Sequence, residues 1–470
     1  MRKKVITASA ARPLRQKHQS ISALPASNDS VIPQTQTITK TCSLSAVISP
    51  GEGGATQKFT KTFRLWPQWN SYDYAGDLNN VAKFDIIADN RWNSGRTPGG
   101  WAAIKAINPN IEIYPYQEGT YTRDDRDLET IEWNNTITRW DLDRGHSMGN
   151  LNTDNPNFFL LDAGGNRIRN TVYNQYLLDF SLSDFVSYWL EATNNDIITQ
   201  SWAADGIFAD DCLAIRSNSA DSGVPAKYPA WAGWDAAMNE YIQAITVGLH
   251  AINQKVICNR LGIGRVDGQT AWIDLDESAN PPDGVMEEMA WFSSSGSNIT
   301  YYNESAWKLE VDLMSQIHNS KVIYNTYSVL GPDDTGTDSD GNAVTMLDVL
   351  WYALCSFQLG KNTTDNNSYF GFYCPGQQLN NHWFDEFDID LGNAVGDYQV
   401  TSYDGVNIYF REFTNGFIYV NPTSNPATSI SLPTACHQLT HDNLLLADKG
   451  ELTSNFDIGA HRGKIFLKVC

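Results

Sequence analysis

The sequence predicts an α/β chain built as a (β/α)8 TIM barrel, with a small C-terminal antiparallel β domain and an extended N-terminal tail. Three observations predict it. From residue 64 onward, short apolar runs alternate with helical patterns, eight runs in all, and strands alternating with helices give a parallel sheet. No glycine-rich ligand-binding fingerprint follows the first run, which argues against the rival open, doubly wound sheet. After residue 395 the pattern changes to paired hairpin signals.

The eight candidate strands are 63–69, 84–89, 111–116, 205–210, 256–261, 284–289, 322–327 and 369–374. A helix is predicted over 99–107, where Trp101, Ile104 and Ile107 recur at helical spacing, and another over 182–195 with Phe185, Trp189 and Leu190. The segment 232–253 is a long amphipathic helix carrying Met238, Tyr241, Ile242, Ile245, Leu249 and Ile252, and segments 305–318 and 344–359 complete the set. Beyond the barrel, 398–403, 406–412 and 416–420 are strand-like and are separated by Asp404-Gly405 and Asn415-Gly416, which are tight-turn signals. The chain therefore divides into a tail or anchor at 1–58, a catalytic barrel at 59–394, and a β domain at 395–470 that caps and stabilises the barrel.

Composition narrows the function. At 470 residues and 41% hydrophobic, the chain is long and apolar enough for a large core. A formal net charge of -21 disfavours nucleic acid, whose phosphates need compensating Lys and Arg, and equally disfavours an anionic membrane surface. No run of apolar residues is long enough for a transmembrane helix. The seven cysteines are odd in number and contain no CxxC pair, which speaks against a disulfide framework or a zinc site. The tail, rich in Ser, Thr, Gln, Ala and Pro, lacks the apolar stretch of a secretion signal. Disorder is one expectation for it, and docking onto a larger assembly such as a virus particle is another. Localisation stays open: free cysteines and no signal fit the cytosol, and a virus-borne enzyme released by lysis would look the same.

The chemistry is sought where such barrels carry it, at the C-terminal ends of the strands. The fourth run reads Asp205-Gly206-Ile207-Phe208-Ala209-Asp210-Asp211, and the sixth reads Asp283-Gly284-Val285-Met286-Glu287-Glu288. In both, an Asp-Gly pair opens the strand and an acid falls five residues after that Asp, at Asp210 and Glu288. Two facing carboxylates suit glycoside cleavage, one protonating the leaving oxygen while the other attacks the anomeric carbon or activates water. Alternation along a strand turns Asp210 away from Asp211 and Glu287 away from Glu288. The shared offset selects Asp210 and Glu288 and leaves Asp211 and Glu287 as alternates or supporting groups. A lone strand-ending acid more often caps a helix or pairs with an arginine; the matched spacing in two units favours catalysis.

Other strand ends supply the expected sugar-binding residues. Trp66, Asp89, Tyr116 and Glu118 come from the first three units, and Asn259, Asn325, Tyr327 and Tyr373 from the later ones. Together they would make a polar pocket rimmed with aromatic rings.

The run Leu178-Asp179-Phe180-Ser181, followed by a helix and then Asp205 to Asp211, resembles barrel enzymes catalogued as hypothetical glycosyl hydrolases. It is similar, more distantly, to dextranase-type and endo-galactosaminidase-type barrels. The segment Arg411-Glu412-Phe413-Thr414-Asn415-Gly416-Phe417-Ile418-Tyr419-Val420-Asn421-Pro422 resembles the β domain that follows many of them. The resemblance covers roughly residues 60–435. It implies a glycosidase acting on a poly- or oligosaccharide, with Asp210 as nucleophile and Glu288 as proton donor; retention of configuration is the first expectation, and inversion stays open until the carboxyl separation is known. The doubled acid Glu287-Glu288 departs from the family pattern. A non-catalytic carbohydrate-binding or structural protein on the same barrel is the alternative, and a plugged mouth would mark it.

No cofactor or metal is expected: there is no P-loop, HExxH or GxSxG. The loop 333–342 has the composition of a calcium loop, but aligning Gly341 with the glycine of an EF-hand puts Gly336 and Leu347 where ligands should be. The expectation there is a solvated insertion after the seventh strand.

Overall fold

The structure, a computed structural model, describes residues 59–65, 78–89, 100–123, 155–172, 175–196, 203–214, 221–264, 266–374, 383–446 and 449–469. Eight strands form one parallel sheet: β1 (Phe63–Leu65), β2 (Ile86–Asp89), β3 (Glu112–Glu118), β4 (Gly206–Asp210), β5 (Lys255–Asn259), β6 (Gly284–Glu288), β7 (Lys321–Tyr327) and β8 (Ser368–Tyr373). Spatial order follows chain order, as a singly wound barrel requires. The ring shuts where Thr62 bridges Phe370 in parallel and the Phe370 N–H donates to the Lys61 carbonyl at 2.9 Å.

The helices between the strands are α1 (Leu78–Val81), α2 (Gly100–Ile107), α3 (Ser183–Asp196), α4 (Trp231–His250), α5 (Val266–Asp276), α6 (Glu304–Leu313) and α7 (Met346–Gly360). Their apolar faces and the outward side chains of the strands make the main core, which includes Trp189, Tyr241, Trp272 and Trp307. A second, smaller core fills the barrel: Phe63 and Leu65, Ile86 and Ala88, Tyr114 and Tyr116, Phe208, Ile257, Met286, Ile323 and Tyr369.

Side chains alternate along a strand, so the inward residues of that core fix which later residues also face inward. Continuing the count gives Glu118 on β3, Asp210 on β4, Asn259 on β5 and Glu288 on β6. On β7 it gives Asn325 and Tyr327, and on β8 Gly371 and Tyr373. The polar groups of the chain thus collect in one layer at the C-terminal mouth because the barrel beneath them is filled with apolar side chains.

The N-terminal end of the barrel is fastened by carboxylates. Asp85, Asp205 and Asp283, each just before a strand, accept the backbone N–H of Thr62, Ile113 and Val256, which lie at the start of the preceding strand or just before it, at 2.7, 2.7 and 2.9 Å. Gly206 follows one of these acids because a Cβ there would lie 2.3 Å from the Lys255 carbonyl oxygen. The Asp-Gly openings read from the sequence are therefore register clamps, five residues below the acids at the mouth.

The structure differs from the sequence expectation in several elements. β1 ends at Leu65, and the rest of its predicted span, Trp66 and Trp69 included, lies outside the described residues. β3 runs on to Glu118 and β5 stops at Asn259. Helix α5 has no predicted counterpart: its buried Ala271, Trp272 and Leu275 make a stripe too narrow to stand out among Asp267, Gly268, Gln269 and Thr270. Three inserts also escape the pattern. Tyr121–Arg123, Gln175–Leu177 and Arg169–Asn170 form a small sheet after β3. Phe292–Ser295 and Asn298–Tyr301 form a hairpin after β6, and Thr335–Asp338 pairs with Ala343–Thr345 after β7. In that last hairpin, the Asp338 carboxylate accepts the backbone N–H of Asp340 and of Asn342 at 3.0 and 2.8 Å, so its own turn supplies its partners.

The C-terminal strands are β9 (Gln399–Tyr403), β10 (Val406–Phe413), β11 (Gly416–Asn421), β12 (Ala427–Leu439), β13 (Leu452–Ile458) and β14 (Arg462–Lys468). They form one antiparallel sheet in the order β9-β10-β11-β14-β12-β13. One face has its own core around Ile408, Tyr419, Ile430 and Phe466. The other packs on α6 and α7. There the Tyr409 ring lies 4.7 Å from that of Trp307, and Arg411 Nη1 donates to the carbonyls of Leu359 and Lys361 at the end of α7. No helix among the described residues is long and apolar enough to cross a membrane.

Candidate active site

Asp210 ends β4, and three donors converge on its carboxylate. The Tyr116 hydroxyl donates to Oδ2 at 2.6 Å, Asn259 Nδ2 to Oδ1 at 2.8 Å, and the backbone N–H of Asp211 to Oδ1 at 2.8 Å. Glu288 ends β6, two strands away, and its Oε2 accepts from the same Asn259 Nδ2 at 3.0 Å. One amide nitrogen thus joins the two carboxylates. Both acids are partly exposed, whereas Asn259 is only 3% exposed.

Glu118, at the end of β3, is buried beside Asp210. Its Oε1 lies 3.0 Å from the Tyr116 hydroxyl and accepts from Gln175 Nε2 at 2.6 Å, while Trp189 Nε1 holds its backbone carbonyl at 2.8 Å. Asp211 follows in the left-handed region, φ 54°, a conformation that an aspartate tolerates better than most residues. Its carboxyl hydrogen-bonds Glu118. Burial first, then the nearby charges of Asp210, Glu118 and Glu288, push it well above the usual carboxylate range. Glu118, Asp210 and Asp211 each offer an oxygen within 4.8 Å of the others. This is the spacing of a cation site, although the Tyr116 hydroxyl, the Asn259 amide and the Asp211 N–H already donate to the two Asp210 oxygens.

Glu287 faces the opposite way, into the layer between strands and helices. Its Oε2 accepts the backbone N–H of Gly262 and Ile263 at 2.9 and 3.2 Å. Burial raises its carboxyl to about 8 despite these two N–H groups, and Glu288 adds to the rise. Glu310 on α6 lies behind it, accepts the Trp291 N–H at 2.5 Å, and is pushed well up by burial and by Glu287. This buried acid pair braces the back of β6 against the turn that leads from β5 into α5.

The remaining expected residues scatter. Tyr327 and Tyr373 meet at the mouth with ring centroids 4.7 Å apart, a small aromatic wall. Asn325 is 1% exposed and stands in register with Glu288; neither its Oδ1 nor its Nδ2 has a partner among the described residues. A Cβ on Gly371 would lie 2.4 Å from that Oδ1, so the missing side chain on β8 makes room for it. Asp89 is not brought to the mouth: it faces the helices and accepts from Trp101 Nε1 at 2.9 Å. Trp66 lies outside the described residues. Sequence reading missed Gln175, which reaches the site from an insert strand that no periodicity marks.

A family model matches residues 105–417, which include the last six barrel strands and the four inward polar residues of β3 to β6. The chain belongs to hypothetical glycosyl hydrolase family 15. No curated protein matches it. Among solved structures it is similar to XgtA, an α-glucosyl transfer enzyme, at 9% identity and TM-score 0.46, covering 87% of this chain and 99% of that one. It is similar to the trehalulose synthase MutB at 9% identity and TM-score 0.45, covering 88% and 100%. It is also similar to the α-galactosidase AgaB of Geobacillus stearothermophilus at 10% identity and TM-score 0.39, covering 87% and 55%. The matched span thus includes the mouth of the barrel, where burial and neighbouring acids raise the Asp211 carboxyl beside Asp210.

Proposed function

We propose that this family member is a retaining glycosidase acting on a poly- or oligosaccharide, with Asp210 as nucleophile and Glu288 as acid/base. The observation that carries the reading is the shared Asn259 nitrogen. Its two hydrogen bonds, 2.8 and 3.0 Å, cap the separation of the bonded carboxylate oxygens below the about 6.5 Å at which the inverting range begins. Three donors on Asp210 suit a group that must attack as an anion. In the first step an Asp210 oxygen bonds to the anomeric carbon, the glycosidic C–O bond breaks, and the Glu288 carboxyl gives its proton to the departing oxygen. In the second, Glu288 as carboxylate takes a proton from water, whose oxygen displaces Asp210 and restores both groups. Tyr327 and Tyr373 offer ring faces to a sugar, and the Asn325 amide offers a donor and an acceptor to its hydroxyls.

The test is hydrolysis of a polysaccharide and aryl-glycoside panel by the wild type, Asp210→Asn and Glu288→Gln, with the anomeric product followed by NMR. Loss of activity by about 10³-fold or more in both folded variants, with net retention, is the expected result. Full activity in either variant overturns the pair, and an inverted product overturns the nucleophile.

A further inference from the structure

From the sequence Asn259 reads as a sugar-binding residue. Its contacts suggest a different task. An amide nitrogen carries two hydrogens, and here each is aimed at a different carboxylate, Asp210 and Glu288. The Asn259 Oδ1 has no partner among the described residues, so the two acids alone orient the amide. Turned over, it would set an oxygen against both of them.

The rest of the residue is held rigidly. Arg260, next in the chain, donates its backbone N–H to the Met286 carbonyl on β6 at 2.8 Å, and its own carbonyl accepts Trp272 Nε1 at 2.9 Å. Its guanidinium reaches back to the Cys212 carbonyl at 3.3 Å and to the Asn239 side chain. The strand is thereby pinned to the chain just after β4, to α4, to α5 and to β6, and Asn259 projects from it between the two acids.

We infer that Asn259 is the positioning residue that sets the spacing and charge state of the reacting pair; this rests on the assignment of Asp210 and Glu288 made above. Two carboxylates this close repel, and a neutral group with two donors relieves the repulsion without neutralising either acid as a lysine would. The amide also suits both steps of the reaction. When Asp210 is esterified Glu288 is the anion, and when Glu288 is protonated Asp210 is the anion. One charged acceptor therefore always remains on the nitrogen, and the geometry persists through the cycle.

The experiment compares Asn259→Ala with the volume-matched Asn259→Leu, using pH–rate profiles on the substrate the panel identifies, with folding checked by near-UV circular dichroism. A donor to an anion favours the anion, so removing it moves both the acidic and the alkaline limb to higher pH, by about one unit. The expected result is that shift in both variants, with kcat lower by about 10- to 100-fold and KM changed little. The Leu variant keeps the test alive where the cavity left by Ala prevents folding. A raised KM with unmoved limbs makes Asn259 a sugar contact and overturns the inference, as does a wild-type profile in Asn259→Leu, which would mean that the residue only fills space. Activity persisting in Asp210→Asn and Glu288→Gln is a separate outcome that removes the pair itself.

Discussion

At the N-terminal end of the barrel, Glu112 lies between Lys255 and Lys321 at 2.8 and 3.2 Å, Asp205 lies 2.7 Å from Lys105, and Asp283 lies 2.9 Å from His250. At the C-terminal end, the groups bonded to Asp210, Glu118 and Glu288 include a phenol, two amides and a backbone N–H. The residue types are the same and the strands are the same; the partners differ. Acids matched with lysines, a histidine and backbone N–H groups hold a barrel shut and in register. Acids bonded to neutral donors gain no countercharge from them, and crowding such acids together costs stability while leaving them able to react.

The sharpest way to break this comparison is to exchange the ends. Asp210→Asn and Glu288→Gln are expected to lose activity by about 10³-fold or more while unfolding at the same or higher denaturant concentration, because each relieves like-charge repulsion. Asp283→Ala is expected to do the reverse. It strips the acceptor from the Val256 N–H and from His250, lowering stability by about 1–3 kcal/mol in urea unfolding while activity per folded molecule stays near wild type. A stable, inactive Asp283→Ala would show that the lower end also takes part in the chemistry.

That division was half legible in the sequence. The repeated Asp-Gly and the acid five residues on are both visible, and that shared offset selects Asp210 and Glu288, which have the parity of the inward Phe208 and Met286. Local pattern could not tell that the first Asp of each pair is a clamp, because its partner N–H belongs to a strand more than 25 residues away in each case. Gln175 was invisible for a related reason: a three-residue strand in a polar insert has no periodicity to read, and its role is decided by where the insert lands. Asp89 shows the converse error. It ends its strand as Asp210 does, but β2 presents it to the helices, where Trp101 takes it. The late strands β12 to β14 were missed because β12 is broken by register shifts after Ala427 and after Ser431, which destroy strict alternation.

A smaller effect separates the reacting acids from those that support them. Gln175→Ala removes the 2.6 Å donor from Glu118 and frees it to compete for the Tyr116 hydroxyl that also serves Asp210. The expected loss is about 10- to 100-fold in kcat, and Glu118→Gln should fall in the same range. If steady-state kinetics show losses equal to those of Asp210→Asn, Glu118 belongs to the reacting set and the upper end is a three-carboxylate site.

The smallest effect is one of pH, and here the two ends should fail in opposite directions. Burial alone would raise Glu112, but Lys321, Lys255 and the Tyr114 hydroxyl outweigh it and hold it at about 2. A carboxyl lowered in the folded state gives stability that is present above its ordinary value and is lost as pH falls toward about 2, so acid should loosen the lower end. Glu287 behaves inversely. Raised to about 8 by burial, it binds its proton more tightly folded than unfolded, so its contribution is complete below the ordinary value of about 4.3 and disappears as pH rises through about 8. Between pH 6 and pH 8 this one group should cost the wild type about 2 kcal/mol. Glu287→Gln keeps an oxygen for the Gly262 and Ile263 N–H groups and has no proton to lose, so urea midpoints across that range should lie on a flatter line than those of the wild type. Equal slopes would mean that Glu287 is ionised in the folded protein, its charge held by the Gly262 and Ile263 N–H groups.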